Sequence, residues 1–127
     1  MTYLAIALGG ALGSVLRFFL SGVVAQRFGE KFPTGTVVIN IIGSFVIGFF
    51  ATLTDPDGRL MVSPVARQFV MIGILGGFTT FSSFSLQTLN LARDGEWLYA
   101  SLNVVLSVVL CLAGVWLGHV LAQMLNK

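Results

Sequence analysis

Charged residues are scarce in this chain of 127 residues. Lys, Arg, Asp and Glu together make up 9% of it, against about 25% in a typical soluble domain. Hydrophobic residues make up 56%, and the mean hydropathy is +0.93. This balance excludes a soluble globular domain and predicts an integral membrane protein. The single cysteine, Cys111, excludes an internal disulfide and gives no evidence about the redox compartment.

Acidic side chains are absent from every apolar stretch. All 5 Asp and Glu residues lie in predicted loops or at their borders: Glu30, Asp55, Asp57, Asp94 and Glu96. Proton-coupled transport through a buried carboxylate is therefore unsupported. His119 has no metal ligands at the usual spacing, and no nucleophile, base and orienting residue occur together, so we expect no enzyme. The net charge is +2, and no run of basic residues occurs, so the sequence gives no indication of nucleic-acid binding.

Four apolar stretches approach the roughly 20 helical residues that cross a bilayer. They cover residues 4–24, 34–54, 68–90 and 97–124. The connectors are short and contain Gly, Pro and Asp, so no residues remain for a second domain. The first stretch lacks the basic and small-residue flanks of a cleaved signal. The sequence predicts an all-α membrane protein in which residues 1–127 form a single transmembrane domain.

The third apolar stretch has an unusual centre, where Gly73, Gly76 and Gly77 precede the hydroxyl-rich residues 79–85. A continuous helix in lipid gains nothing from this composition. Irregular backbone at membrane depth is tolerated only where it is buried in protein, lines a cavity or holds an ion. We therefore predict a third helix broken at mid-membrane, unwound around residues 76–79. The freed carbonyl groups would bind a monovalent cation or accept from neighbouring Thr hydroxyls.

Small and polar residues recur at helical spacing in the other spans. The fourth span carries them on one helix face: Asn103, Ser107, Cys111, Gly114 and Gly118. Comparable stripes occur in the first and second spans: Gly10, Ser14, Arg17 and Ser21, then Thr36, Asn40, Gly43 and Gly48. We expect these stripes to face protein rather than lipid. Close helix packing alone explains most of the glycines.

The polar groups inside the spans are hydrogen-bond donors without carboxylates: Arg17, Thr36, Asn40, Thr79, Thr80, Ser82, Ser83, Ser85, Gln87, Asn103 and Ser107. Such a set suits a small, strongly hydrated anion, which must exchange its water shell for hydrogen bonds of similar quality. Phe78, Phe81 and Phe84 recur every three residues. The positive edge of an aromatic ring can face an anion, although periodicity alone favours core packing for these rings.

Loop charges are balanced between the two sides of the membrane. If the spans alternate, three basic residues fall on each side: Arg59, Arg67 and Lys127 on one, and Arg27, Lys31 and Arg93 on the other. The positive-inside rule then gives no preferred orientation. This balance indicates insertion in both directions, which would let two opposite copies pair, unless other factors fix one orientation.

The motifs together resemble one known family. The run GGFTTFSSFS over residues 76–85, the upstream Gly35-Thr36 and Asn40, and the first-span pattern GGxxGxxxR ending at Arg17 are similar to the CrcB/Fluc fluoride channels of prokaryotes. The resemblance covers essentially the whole chain. It implies a dual-topology homodimer in the prokaryotic inner membrane, with two fluoride pathways and a central structural sodium ion. It also implies a physiological role in expelling fluoride.

The resemblance assigns roles by position. Phe81 and Phe84 match the ring-edge phenylalanines of the pore, and Asn40 matches its asparagine. The backbone carbonyls of Gly76 and Thr79 match the sodium ligands. The remaining residues of the implied fluoride pathway lie on the first helix, at the vestibule, around the rings or on the fourth-helix track: Arg17, Thr36, Gln87, Thr80, Ser82, Ser83, Asn103 and Ser107.

Three departures from the family pattern concern four positions. Gln87 stands where many members carry Glu, which removes the charge at that position. Cys111 and Val115 replace hydroxyl residues, so the far end of the fourth-helix track is expected to be less polar or to follow another route. Ser83 replaces a common Thr but keeps the hydroxyl.

Two other classes share part of this pattern. A small dual-topology multidrug exporter has the same size and balanced charge, but it needs an acidic residue in the first span, and this chain has none. A packing or assembly subunit would explain the glycine stripes but not the buried amides. The sequence therefore favours a passive fluoride channel.

Overall fold

The computed structural model describes residues 1–127, and every regular element in it is a helix. Four helical spans are long and apolar enough to cross a membrane: Thr2–Phe28, Thr34–Leu53, Pro64–Arg93 and Trp97–Asn126. The predicted all-α, four-span membrane protein is confirmed at this level. The observed helices run a few residues beyond most of the predicted limits, because backbone hydrogen bonding rather than apolarity decides where a helix ends.

The first, second and fourth spans are single helices, named here α1 (Thr2–Phe28), α2 (Thr34–Leu53) and α6 (Trp97–Asn126). Helix α1 stops at Gly29, whose φ of 79° lies in the left-handed region and whose N–H donates to the Ala25 carbonyl. Gly95, with a φ of 77°, lies in the short connector before α6. Both glycines therefore serve the turns that the sequence predicted in these connectors.

The third span consists of several consecutive segments. Helix α3 (Pro64–Gln68) begins at Ser63, whose hydroxyl accepts from the Ala66 N–H at 3.1 Å. A π-helical turn (Phe69–Ile74) and helix α4 (Leu75–Phe78) follow. Thr79 and Thr80 then have extended backbone, with ψ of 156° and 113°, before helix α5 (Phe81–Arg93).

The expected unwinding around residues 76–79 is wrong for Gly76 and Gly77, which are both helical. Gly77 instead lies where α4 packs closely against α1. A methyl group added at Gly77 would lie 2.6 Å from the Gly10 carbonyl oxygen. Glycine therefore serves close helix approach here, and the extended backbone is confined to Thr79 and Thr80.

Two close packings hold the bundle together. Helix α1 lies against the third span, where a methyl group at Gly9 would meet the Gly73 Cα at 2.9 Å. Helix α2 lies against α6, where a methyl group at Gly118 would meet the Phe49 nitrogen at 2.9 Å. The fourth-span stripe faces protein as predicted, since Asn103, Ser107 and Gly118 are buried. In α1, by contrast, the buried residues are Gly9 and Gly13, whereas Ser14 of the predicted stripe is exposed.

The charged loop residues divide between the two ends of the bundle as expected for spans that alternate in direction. At one end the Lys31 ammonium lies 3.7 Å from Glu96. At the other end the Arg59 guanidinium donates to the Leu125 carbonyl at 3.1 Å. Arg59 therefore shares an end with the C-terminus, and Lys31 lies at the opposite end with the loop before α6.

Candidate functional site

The side-chain amide of Asn40 on α2 pairs with the backbone of Thr80. Its Nδ2 donates to the Thr80 carbonyl at 3.1 Å, and the Thr80 N–H donates to Oδ1 at 2.8 Å. Thr80 lies outside the helices, so both of its backbone groups need partners in an apolar surrounding. The two bonds fix the orientation of the amide and use one of its two Nδ2 hydrogens.

Thr80 also begins helix α5. Its Oγ1 accepts from the Ser83 N–H at 3.1 Å and lies 3.4 Å from the Ser82 hydroxyl oxygen. The neighbouring Thr79 acts on the preceding helix, since its hydroxyl and its N–H both donate to the Leu75 carbonyl at 2.9 Å. The two threonines therefore close the helix ends on either side of the extended residues.

These side-chain bonds divert the donors of two carbonyl groups. In a continuous α-helix the Thr80 N–H would donate to Gly76, and the Ser83 N–H would donate to Thr79. Here the first donates to Asn40 and the second to the Thr80 hydroxyl. The carbonyls of Gly76 and Thr79 consequently lack their helical donors. These are the two carbonyls that the sequence resemblance assigns to sodium, and oxygen atoms of this kind suit a hard cation.

A cavity of about 420 Å³, called here the narrow cavity, lies between α2, the third span and α6. None of the residues that line it is acidic. The lining includes residues that the sequence analysis singled out on all three elements: Asn40, Gly76, Thr79, Thr80, Phe81, Phe84, Ser107 and Cys111. The rings of Phe81 and Phe84 lie 5.4 Å apart between centroids and are tilted by 53°. Phe81 is 78% exposed in the single chain, so this cavity is open on the side of that ring.

A second cavity of about 850 Å³, called here the wide cavity, lies between α1, the start of α2 and α5. It brings together five predicted residues: Arg17, Thr36, Thr80, Ser83 and Gln87. The lining also includes loop residues of both charges, among them Glu30, Lys31 and Asp94. Thr80 is the one residue that lines both cavities.

The remaining predicted residues occupy other positions. Asn103 is 1% exposed and lines neither cavity. Its Oδ1 accepts from the hydroxyl of Ser107 at 3.5 Å. Ser82 is exposed and also lines neither cavity. Sequence reasoning missed Thr88, which accepts from the Asn103 Nδ2 at 2.8 Å. The sequence feature that could have indicated Thr88 is its position one helical turn after Phe84.

Gln87 carries the one buried side-chain polar atom without a partner, its Oε1. A buried amide oxygen without a hydrogen-bond partner is costly, and the side chain of Gln87 lines the wide cavity. His119, which the sequence left without a partner, lies within 2.7 Å of the Thr52 hydroxyl, so it ties α6 to the end of α2. This contact explains His119 as a residue that joins two helices.

The profile of one family, described as "CrcB-like protein, Camphor Resistance (CrcB)", matches residues 4–119. The chain belongs to the CrcB family. The match includes all of the site residues described above, so the resemblance stated from the sequence motifs is confirmed.

Relatives of this chain carry the name "Fluoride-specific ion channel FluC". The protein of Opitutus terrae is 69% identical over 125 residues, which cover 98% of this chain and 95% of the relative. That of Rhodospirillum rubrum is 64% identical over 127 residues, covering 100% and 98%. That of Methylocella silvestris is 59% identical, covering 100% and 97%. The CrcB family is thus one of ion channels, and the expectation of a protein that is not an enzyme is confirmed.

Proposed function

We propose that this protein is a fluoride channel that lets fluoride leave a prokaryotic cell passively across the inner membrane. The observation that carries the proposal is the narrow cavity, where amide and hydroxyl groups and two phenylalanine rings meet without a carboxylate. Fluoride is small and strongly hydrated, so it needs close donors in place of its water shell and is repelled by acidic side chains. The names of the relatives point to the same ion.

The proposed pathway runs from the wide cavity past Thr80 into the narrow cavity. Arg17 supplies positive charge to the wide cavity, and Thr36, Ser83 and Gln87 supply polar groups. In the narrow cavity the free Nδ2 hydrogen of Asn40 and the hydroxyl of Ser107 are the donors. The edges of Phe81 and Phe84 bear partial positive charge, so they accept an anion where the ring faces would repel it. Asn103 supports Ser107, and Ser82 flanks the rings.

The active form is proposed to be an antiparallel homodimer in the lipid bilayer. The side of the chain that carries Gly76 and Phe81 is exposed although both residues line the narrow cavity. A second copy inserted in the opposite direction would cover this side, so the dimer would contain two pathways. The loops at one end of the bundle carry as many basic residues as those at the other end, which allows both orientations. Thr79 and Thr80 would then interrupt the third helix at mid-membrane.

The centre of the dimer is proposed to hold a structural sodium ion. The carbonyls of Gly76 and Thr79 fit this role because their usual helical donors are bound elsewhere. Two copies would contribute four such carbonyls, and neutral oxygen ligands suit a monovalent ion better than a divalent one, which favours carboxylates. When bound, the ion would neutralise the carbonyl dipoles that converge between the two chains.

Efflux from liposomes tests the proposed function. Vesicles containing the purified protein and loaded with either potassium fluoride or potassium chloride are made permeable to potassium, and the released anion is measured. We expect rapid fluoride release and chloride release no faster than from protein-free vesicles. Equal release of the two anions, or none of either, would overturn the proposal. A multidrug exporter has no support here, because α1 contains no acidic residue.

A further inference from the structure

Thr88 connects the ring-bearing helix α5 to the polar side of α6. Its hydroxyl donates to the Phe84 carbonyl at 2.8 Å, and its oxygen accepts from the Asn103 Nδ2 at 2.8 Å. A hydroxyl has one hydrogen, and a carbonyl oxygen can only accept. Because that hydrogen is bound to Phe84, Thr88 can only accept from its partner on α6. The nitrogen of the Asn103 amide must therefore face Thr88, which leaves Oδ1 to face Ser107.

The bond between Asn103 and Ser107 is much looser. The Ser107 hydroxyl oxygen lies 3.5 Å from Oδ1, whereas strong O–H···O bonds span about 2.5–3.0 Å. Ser107 lines the narrow cavity together with Phe81 and Phe84, and Asn103 does not. A loosely held hydroxyl can turn its hydrogen toward an anion in the cavity at little cost, and Asn103 fixes the place from which it turns.

We propose that Thr88 is a positioning residue of the fluoride pathway, acting through Asn103 on the Ser107 hydroxyl. The inference rests on the proposed function. Asn103 is 1% exposed, so no bulk water can replace a lost partner. Without the Thr88 hydroxyl, either orientation of the Asn103 amide leaves one of its polar groups unpaired. The amide then shifts, and Ser107 loses the acceptor that holds it beside the rings.

The substitution Thr88→Val removes the hydroxyl and keeps the shape, whereas Thr88→Ser keeps the hydroxyl. Since an unpaired buried polar group is costly, we expect Thr88→Val to slow fluoride efflux from liposomes about tenfold and Thr88→Ser to retain the rate within about twofold. Ser85→Ala is the matched control, because Ser85 is exposed and lines neither cavity, and its hydroxyl makes the same kind of bond to the Phe81 carbonyl at 2.9 Å without a second partner. Its efflux rate is expected to be unchanged.

A double substitution separates positioning from general loss of structure. If Thr88 acts through Asn103, then Thr88→Val has no further effect on efflux in a protein that already carries Asn103→Ala. All variants should elute as dimers in the same yield. Equal losses in Thr88→Val and Thr88→Ser, an undiminished rate in Thr88→Val, or fully additive losses would each overturn the inference while leaving fluoride conduction in place.

A readout independent of conduction is the side-chain amide signal of Asn103 in ¹⁵N-labelled protein. Thr88→Val should shift this signal, and Thr88→Ser should leave it close to its original position. An unshifted signal in Thr88→Val would overturn the positioning role. If the unmodified protein releases no fluoride, the proposed function fails and the pathway role of Thr88 fails with it, whatever the amide signal shows.

Discussion

The amide of Asn40 holds the backbone of Thr80 through two hydrogen bonds, of 3.1 Å and 2.8 Å. One side chain from α2 thus satisfies both polar backbone groups of a residue that no helix contains. The same contact removes the N–H that would otherwise bond the Gly76 carbonyl. Asn40 therefore links the interruption of the third span to the candidate cation ligands and to the narrow cavity.

Asn40→Asp should abolish fluoride release. The new carboxylate oxygen would face the Thr80 carbonyl, an acceptor opposite an acceptor, and would bring negative charge into the narrow cavity. At the effective dielectric constant of a protein this repulsion amounts to several kcal/mol, so we expect a loss of at least about a hundredfold. Efflux from liposomes measures the loss, and size-exclusion chromatography checks that the dimer still forms. Efflux at the unmodified rate would remove Asn40 from the pathway.

Phe81→Ile and Phe84→Ile should each slow fluoride release by at least about tenfold although most of the apolar volume is retained. Isoleucine has no positively polarised ring edge, so packing alone cannot replace the contact with an anion. Phe19→Ile provides a control, because Phe19 is 65% exposed on α1 and lines neither cavity. If both ring variants conduct as well as this control, the two phenylalanines serve only packing.

Much of the fold follows from the sequence because few arrangements are stable in lipid. Runs of apolar residues without charge can only be helices there, so the number and order of the spans could be predicted. The face of α6 that carries Asn103 and Ser107 also followed from helical spacing. For α1 the predicted stripe was only partly right, because Gly9, Gly13 and the backbone of Gly10 meet the third span, whereas Ser14 is exposed.

The π-helical turn at Phe69–Ile74 and the helical state of Gly76 and Gly77 could not be predicted. Gly73 of the turn and Gly77 of α4 lie close against α1, and a single sequence does not contain that distance. Glycine suits an irregular backbone and a close helix contact equally well. The composition therefore located the irregular segment of the third span to within a few residues, but it did not identify Thr79 and Thr80 as the extended residues.

The partners of the polar groups were also beyond prediction. The motif pointed to Asn40 as a pore residue, but its pairing with Thr80 joins positions 40 residues apart in the chain. Thr88 carried no motif, and its importance appears only through its bonds to Phe84 and Asn103. Hydrogen bonds between spans depend on helix rotation, which hydropathy and spacing define only coarsely.

Sodium should stabilise the dimer without being carried through the membrane. Purified protein assembled in sodium chloride is expected to elute as a dimer, and protein assembled with N-methylglucamine in place of sodium is expected to contain more monomer, because that cation is too large for a ring of carbonyls. Fluoride release should not vary with the sodium gradient across the vesicle. An unchanged dimer fraction after assembly without sodium would contradict the proposed ion site.

The balance of loop charge predicts that few substitutions set the orientation. Replacing Arg27 and Lys31 by Gln leaves three basic loop residues against one, which should place the end with Arg59 and Lys127 in the cytoplasm in nearly every copy. The lost contact between Lys31 and Glu96 is exposed and contributes little to stability. Reporter fusions at Lys127 measure the orientation.

Such a variant should fail to protect fluoride-sensitive cells when expressed alone, because it provides no opposite partner. Co-expression with the reciprocal Arg59→Gln, Arg67→Gln variant should restore protection. Arg67 also donates to the Thr54 hydroxyl at 3.1 Å, so the yield of the reciprocal variant must be checked separately. Full activity of the Arg27, Lys31 variant alone, with reporters still on both sides, would show that loop charge does not set the orientation.

The reversal potential in a planar bilayer tests the central claim most directly. With unequal fluoride concentrations and equal chloride on the two sides, a passive fluoride-selective pathway must reverse at the equilibrium potential of fluoride, at any pH difference across the membrane. We predict this value for the unmodified protein. A reversal potential near zero, which is the equilibrium potential of chloride under these conditions, or one that moves with the proton gradient, would contradict the account.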